Sequence, residues 1–282
     1  MSVQILTDSA SDLSESMHPS LHVVPLNVRF GNEEFKDGVD LTNHEFYEKL
    51  IEEDTLPQTS QASPAVFEEA ILKAKENGDE VLIITLSSKL SGTYQSARLG
   101  SQDIENVWLV DSMTVTLGEQ ILVLRALELS DQGLDAASIA KTLEEEKKQL
   151  RLIALLDTLE YLKKGGRISA AAAAVGSMLS IRPVIAVEDG EVVMLGKARG
   201  SKKASNLLTE MIEKSGGIDF DRPAAVGYTG LEDSLLQKYL KDSERLYEGH
   251  EKELIQQSVG SAIGTHAGPG AIAVAFFAKE AK

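Results

Sequence analysis

Short apolar runs alternate with helical patterns through the first half of the chain. Four runs have the length and continuous hydrophobicity of buried strands, and each is followed by Asp, Ser or Thr: residues 3–7, 80–86, 107–110 and 151–156. Such strands alternating with helices predict a parallel sheet covered on both faces, with ligands bound at the carboxyl ends of the strands. A further run, residues 22–30, contains Pro25, which favours an edge strand because proline has no backbone N–H to donate.

The second half has a different pattern. Two apolar runs, residues 184–188 and 191–195, flank Asp189-Gly190, a dipeptide typical of a two-residue antiparallel hairpin. The remaining predicted elements are listed by residue: helices over 42–51, 64 onward, 93 onward, 117–129, 136–150, 169–176 and 201–215, and strands over 223–228 and 271–278.

The two patterns together predict an α/β fold in two parts. An α/β domain with a parallel sheet is expected over residues 1–158, and an α+β domain with an antiparallel hairpin over residues 159–282.

Charge is distributed unevenly between these parts. The chain of 282 residues has a net charge of −16, and residues 1–158 account for all of it, with 12 basic and 28 acidic side chains. An acidic surface repels phosphate backbones and anionic headgroups, so we expect no nucleic-acid partner and no membrane-surface binding. Residues 160–205 are locally basic, with 8 basic against 4 acidic side chains. This stretch either steers an anionic partner or consists of solvated helix and hairpin ends.

The lack of cysteine and of long apolar segments argues against further classes of protein. Without cysteine the chain has no disulfide, no thiolate metal site and no thiol nucleophile. The first residues carry no basic flank with a long apolar run, and no run approaches about 18 apolar residues. We therefore expect no secretion signal, no stable membrane anchor and a cytoplasmic location.

Two turns rich in hydroxyl groups are the first candidates for chemistry. Residues 57–64 precede one predicted helix, and residues 87–93, which include Ser91 and Gly92, precede another. Backbone N–H groups at a helix N-terminus, assisted by hydroxyls, bind anions such as a carboxylate or a phosphate. Gly92 would let a ligand approach the backbone closely. The same Ser and Thr side chains could instead serve only as helix caps.

His266 is the third candidate, within residues 263–270, which predict a turn before the last strand. An imidazole can donate to a carboxylate, act as a base or attack a carbonyl. One alternative is therefore a serine hydrolase with Ser91 as nucleophile, His266 as base and Asp8 or Asp111 as the acid. Motifs for nucleotides and for zinc are absent, and the other histidines stand alone, so no metal and no cofactor are expected.

Six segments carry a resemblance to a known family when they are taken in order. They are Thr7-Asp8-Ser9, Thr59-Ser60-Gln61, SSKLSGT at 87–93, VDS at 110–112, LEYLKKGGRIS at 159–169 and IGTHAGPG at 263–270. In order and spacing they resemble the bacterial DegV family over essentially the whole chain. The resemblance implies a long-chain fatty acid bound between two α/β domains. Some members present the acyl carboxylate to the separate, ATP-using catalytic subunit of a fatty acid kinase and hold the acyl phosphate product.

The resemblance also implies roles for individual residues. The hydroxyls of Thr59 or Ser60, and Ser91 beside Gly92, would bind the carboxylate, and His266 would complete the hydrogen-bond network. A docking surface for the kinase subunit would include the basic residues Arg167, Arg199, Lys202 and Lys203. The chain is then a lipid-binding protein and not itself an enzyme. The small residues 170–174 could flank the acyl chain or simply pack helices closely. A third alternative is a kinase subunit that binds a small carbonyl compound such as dihydroxyacetone through His266.

Overall fold

The computed structural model describes residues 3–53, 56–77, 80–168 and 181–279. The strands are β1 (Val3–Asp8), β2 (Leu21–Val24), β3 (Asn27–Phe30), β4 (Glu33–Lys36), β5 (Gln58–Ser60), β6 (Glu80–Thr85), β7 (Val107–Asp111), β8 (Leu150–Leu155), β9 (Ile181–Glu188), β10 (Glu191–Arg199), β11 (Ala225–Tyr228), β12 (Ile255–Ser258) and β13 (Ile272–Phe277). The predicted helix at 169–176, with the small residues 170–174, lies outside the described residues.

The helices have the following bounds: α1 (Asn43–Glu52), α2 (Pro64–Lys75), α3 (Thr93–Ser101), α4 (Leu117–Asp131), α5 (Ala136–Glu146), α6 (Glu160–Lys164), α7 (Ser201–Lys214), α8 (Ser234–Asp242), α9 (Glu244–Tyr247) and α10 (Ser261–Ala267). Two short 3₁₀ helices, Ser9–Ser11 and Glu15–Met17, follow β1. In the described ranges, no helix combines the length and the hydrophobicity needed to cross a bilayer.

A parallel sheet in the order β2-β1-β6-β7 forms the first half of the fold. All six residues of β1 are buried, because Ile5 packs in the cluster that contains α4 and Leu6 packs in the cluster that contains α2. Burial on both faces explains the continuous apolar pattern of these strands. The prediction of one edge strand over residues 22–30 was wrong. Pro25 separates β2, at the edge of this sheet, from β3, which belongs to the small three-stranded sheet, because proline has no N–H to continue the ladder. The prediction of a parallel sheet with helices on both faces is confirmed.

The second large sheet is mixed, in the order β10-β9-β8-β13-β11-β12. The predicted hairpin is confirmed, since Glu188 pairs with Glu191 and both turn residues, Asp189 and Gly190, have positive φ as a type I′ turn requires.

The placement of the run 151–156 in the parallel sheet was wrong. This run forms β8, which pairs antiparallel with both β9 and β13. A run of apolar residues predicts that a strand is buried, but it does not predict which strands are its neighbours. The second sheet thus begins before residue 158, and the domain boundary predicted there stays a prediction.

Helix α4 lies between the two large sheets and contacts strands of both. Residues 117–123 of this helix are all buried, whereas Arg125, Glu128 and Asp131 form a polar stripe along its second half. On β13, Ala273, Ala275 and Phe277 belong to the core cluster shared with α4, whereas the alternate residues pack in the cluster that contains α7 and α8.

A small antiparallel sheet, β4-β3-β5, lies against α1 and brings β5 toward α10. The hydroxyl of Tyr47 on α1 donates to the carbonyl oxygen of Val259, just before α10, at 2.9 Å. The aromatic cluster of Phe30, Phe46 and Tyr47 therefore helps to fix both β5 and α10, which each contribute a residue to the site below.

Candidate functional site

A cavity of about 370 Å³ lies between the inner face of the six-stranded sheet, α10 and the segments around β5 and the end of β6. This volume is within the roughly 300–1,000 Å³ typical of small-molecule pockets. Its walls are mostly apolar, with Leu152, Ala154 and Ala273 from the sheet and Ala262 and Ile263 from α10. Such a surface suits an aliphatic ligand better than a polar one.

The turn after β6 forms one side of the polar end of the cavity. Helix α3 begins at Thr93 with Gly92 as its cap residue, and Gly92 has no side chain to bind the free N–H groups. The Ser91 hydroxyl accepts from the Thr93 N–H at 3.2 Å and shares a 2.8 Å hydrogen bond with the Thr93 hydroxyl. Ser91 therefore caps the first turn of α3 and also lines the cavity, and its role in binding a carboxylate stays a prediction.

The absence of a side chain at Gly92 leaves room for the amide of Gln61. A methyl group there would lie 1.9 Å from Gln61 Oε1, and the Gln61 amide in turn donates to the Ser96 hydroxyl at 2.8 Å. Gln61 therefore ties the residues after β5 to the start of α3, a role that the sequence did not reveal.

Thr59 and His266 meet on the other side of the polar end. The distance between Thr59 Oγ1 and His266 Nε2 is 2.9 Å, and both residues are partly buried and line the cavity. Ser60 also lines the cavity but is exposed. Of the two hydroxyls left open by the sequence, that of Thr59 contacts the histidine.

The prediction of a turn around His266 was wrong, because residues 261–267 form α10 and His266 lies in its last turn. Three glycines and a proline near a histidine suggest a loop, but Gly264 is inside the helix, where a methyl group would lie 2.6 Å from the Tyr47 hydroxyl. Close packing against α1, rather than backbone freedom, accounts for this glycine. Gly268 then ends the helix with a φ of 70°.

The imidazole of His266 is neutral near pH 7. Burial, and then the positive charge of Arg167, lower the pKa of His266 from 6.5 to about 4. Its Nδ1 atom is buried, has no hydrogen-bond partner among the described residues, and faces Gly165, where a methyl group would lie 2.1 Å away. A neutral imidazole can donate through one nitrogen only, so a donating Nε2–H would leave the Thr59 hydroxyl proton available to a ligand.

Arg167, which was predicted to belong to the docking surface for a kinase subunit, lines the cavity. Its side chain is partly buried, lines the cavity and donates from Nε to the Leu90 carbonyl oxygen at 3.2 Å. The polar end thus contains one guanidinium charge beside Ser91 and the neutral His266. The other three predicted docking residues, Arg199, Lys202 and Lys203, are exposed at the end of β10 and in the first turn of α7.

The residues of the hydrolase alternative are not assembled as a triad. Ser91 is hydrogen-bonded to Thr93, and Nε2 of His266 is hydrogen-bonded to Thr59 instead of to Ser91. The two candidate acids bind backbone amides elsewhere: Asp8 accepts from Leu86 N, and Asp111 accepts from Met113 N. In the part of the chain that the structure describes, no group of three or more His, Cys, Asp or Glu side chains is arranged to hold a metal ion.

A buried acidic cluster, formed by Asp8, Asp12, Asp37 and Glu119, lies at the opposite end of α10. Burial raises the pKa of Asp8 from 3.8 to about 7 and that of Asp12 to about 8, and it also raises those of Asp37 and Glu119. Asp12 accepts from the Gly260 N–H at 2.8 Å and Asp37 from the Ser261 N–H at 3.1 Å, at the start of α10. The cluster therefore fixes one end of the helix that carries His266. The members of this cluster are distant in the chain and follow no pattern, so the sequence alone does not reveal it.

Known proteins share this architecture over its full length. The family model described as "Uncharacterised protein, DegV family" matches residues 2–279. A DegV domain-containing protein of Caldanaerobacter subterraneus is 36% identical over 281 residues, covering 97% of this chain and 98% of its own.

Two solved structures show the same fold. One is a DegV family protein from Thermus thermophilus, described by its fatty acid binding, with a TM-score of 0.87, 33% identity and coverage of 98% of this chain and 100% of that chain. The other is DegV of Bacillus subtilis, described as a fatty acid binding protein, with a TM-score of 0.84, 30% identity and coverage of 99% and 100%. By sequence and by fold, this chain belongs to the DegV family.

Proposed function

We propose that the chain binds a long-chain fatty acid and presents its carboxylate to a partner kinase. The carrying observation is the division of the cavity into a long apolar part and a polar end where Thr59, Ser91, Arg167 and His266 gather. The fatty acid binding described for the Thermus thermophilus and Bacillus subtilis relatives supports the same ligand class.

The physical requirements of a fatty acid match this division. A carboxylate needs a few hydroxyl and N–H donors, which Thr59, Ser91 and the start of α3 supply. Each buried CH₂ of the tail contributes about 0.8 kcal/mol, so most of the binding free energy comes from the apolar part. Arg167 adds a positive charge that favours the ionised acid and would equally favour a phosphate attached to it.

Delivery to a kinase would use the exposed basic residues. Arg199, Lys202 and Lys203 form a positive surface on a chain that is otherwise strongly acidic, so they would orient a partner with a complementary acidic surface. The bound carboxylate oxygen would attack the γ-phosphorus of an ATP molecule held by the partner, giving an acyl phosphate and ADP. In this scheme the chain itself contributes binding and orientation and no catalytic group.

Lipid analysis tests the binding step. Organic extraction of the purified protein, followed by mass spectrometry, should release a fatty acid, and the emptied protein should take up a fluorescent acid. Ser91→Ala and Thr59→Val should weaken uptake about tenfold each, because each removes one hydrogen bond to a charged group. Ser88→Ala is the matched control, since Ser88 is exposed in the same turn and should leave uptake unchanged. No extracted acid together with no uptake would disprove the proposal.

A coupled assay tests the delivery step. With a fatty acid kinase catalytic subunit and ATP, the wild type should support acyl phosphate formation. Lys202→Glu combined with Lys203→Glu should reduce that rate, while lipid uptake remains normal. Lys252→Glu, at another exposed lysine, is the charge control. An equal rate for the double variant would exclude this docking surface.

A further inference from the structure

The floor of the cavity contains a row of very small side chains that crosses three strands. Ala154 on β8 is directly opposite Ala273 on β13, and Ala273 is directly opposite Gly227 on β11. All three residues line the cavity. Neighbouring strands are about 4.8 Å apart, so the row is a shallow channel of about 10 Å across the sheet.

One end of this row lies near the polar end of the cavity. Ala154 is opposite Ile185 on β9, which packs in a cluster with Leu162 and Ala267. Ala267 directly follows His266, and Leu162, on α6, is close in the chain to Arg167. A ligand whose carboxylate is at His266 would therefore enter the row at Ala154 and extend toward Gly227.

The other end of the row is closed by a leucine. Leu117, in the first turn of α4, is fully buried and packs directly over Gly227. A methyl group at Gly227 would lie 3.0 Å from Leu117 Cδ1 and 3.1 Å from the Gln257 carbonyl oxygen. No side chain fits between the strand and the helix at this point, so the channel ends at Gly227. Gly227 lines the cavity, and Leu117 lies directly behind it, outside the lining.

The turn before α4 fixes this leucine in place. Met113 and Thr116 both have positive φ, and Thr116 combines a φ of 46° with a ψ of −127°, a conformation that non-glycine residues rarely adopt. The Thr116 hydroxyl donates to Asp12 at 2.5 Å, and Thr116 itself lines the cavity. Backbone strain at a ligand cavity persists only where the surroundings enforce it, and here Asp12 does so.

We infer that Leu117 is the end stop of the acyl pocket and that, with Ala273 on the floor, it determines the length of chain that the protein selects. This inference rests on the proposed function. The methyl end of the ligand stops at Gly227, where Leu117 fills the space above the strand, and the small side chain of Ala273 allows the chain to pass. Enlarging the pocket at one residue and filling it at the other should shift the selected length in opposite directions.

The expected shifts follow from the carbon atoms removed or added. Leu117→Ala removes three carbons from the end of the channel, so the preferred chain should lengthen by about two to three carbons. Ala273→Val adds two methyl groups to the floor, and the longest acids should lose about 15-fold in affinity, because about two CH₂ groups at about 0.8 kcal/mol each lose their burial. Short acids should be nearly unaffected by Ala273→Val.

The test is a dissociation constant for each straight-chain saturated acid from about 10 to about 22 carbons, measured for emptied wild type and variants. Leu122→Ala is the control for leucine truncation. Like Leu117, Leu122 is fully buried on α4 and outside the cavity lining, but it lies more than one helical turn farther along the helix. Ala275→Val is the control for the floor, since Ala275 is the next inward-facing residue of β13 and also lies outside the cavity lining. Leu117→Val and Ala154→Val are milder replacements if a variant fails to fold.

Opposite shifts in the two cavity variants, with unshifted profiles in both controls, would support the inference. A wild-type profile in Leu117→Ala or its milder form, or equal shifts in the controls, would overturn it while leaving fatty acid binding intact. If the wild type binds no acid of any length, the proposed function fails first and the inference fails with it.

Discussion

The buried acidic cluster makes stability depend on pH in a direction opposite to that of a protein with salt-bridged carboxylates. Burial raises the pKa of Asp12 from 3.8 to about 8. Between these two values the folded chain keeps a proton on Asp12 that the unfolded chain has released. The contribution of Asp12 to stability is therefore fully present below pH 3.8, decreases as the pH rises, and is lost above about pH 8.

The size of this change in the free energy of unfolding follows from the binding of one proton. A difference of one bound proton changes the free energy of unfolding by about 1.4 kcal/mol per pH unit. From about pH 5 to about pH 7, Asp12 should thus reduce stability by about 2 to 3 kcal/mol. Asp8, with a pKa raised to about 7, should add to this slope over the lower part of the interval.

Asp12→Asn removes the titrating carboxyl group and keeps the size and shape of the side chain. The amide oxygen can accept from the Gly260 N–H as the carboxylate does, and the amide NH₂ can donate to the Thr116 hydroxyl. Urea unfolding at intervals of about half a pH unit should show a slope shallower by about 1.4 kcal/mol per pH unit in the variant. Asp221→Asn, at an exposed site, should retain the slope of the wild type.

Two results would refute this reasoning. One is a wild-type free energy of unfolding that rises from about pH 5 to about pH 7. The other is an equal slope in wild type and Asp12→Asn, which would show that Asp12 is already ionised in the folded chain at these pH values.

Three further predictions concern the polar end of the cavity. Gly92→Ala should displace the Gln61 amide and reduce fatty acid affinity about tenfold while costing less than about 1.5 kcal/mol in urea unfolding, because a flexible side chain can move; unchanged affinity would contradict this. Gly165→Ala should displace the imidazole of His266 and break its hydrogen bond to Thr59, which costs about 1 kcal/mol of stability and, in NMR, changes the His266 ring shifts; unchanged shifts would contradict this. The His266 ring should titrate by NMR with a midpoint near a pKa of 4, and a midpoint at 6.5 or above would show that it is not buried as described.

The elements that could be predicted from the sequence are those whose signal is local. The parallel strands have continuous apolar runs because helices cover both of their faces. The β9–β10 hairpin is specified by Asp189-Gly190, since few dipeptides accept two positive φ angles. Helix α1 is capped by Thr42 as predicted, and the side chains of Thr42 and Glu45 form a capping box.

The errors arose where the environment, rather than the local chain, decides the structure. β8 has the same composition as a parallel strand, and only its pairing with β13, more than a hundred residues later, places it in the mixed sheet. The glycines around His266 suggested a turn, yet Gly264 serves the close approach of α10 to Tyr47. A glycine signals either conformational freedom or lack of space, and the sequence alone does not distinguish them.

The candidate site depends even more on the tertiary environment than the fold does, because its residues come from several distant segments. Thr59 and His266 are 207 residues apart in the chain and come into contact because the small sheet that contains β5 packs against α1, and α1 and β5 both contact α10. Each segment, read alone, favours a simple role: Ser91 as a helix cap, Thr59 as a hydroxyl in a turn before α2, Arg167 as a surface charge. The turn predicted over residues 57–64 was itself wrong for residues 58–60, which form β5. Their chemistry depends on shared burial, which makes His266 neutral and brings Arg167 to the cavity instead of the surface. A set of hydroxyls around a neutral imidazole beside one guanidinium is therefore a property of the tertiary fold.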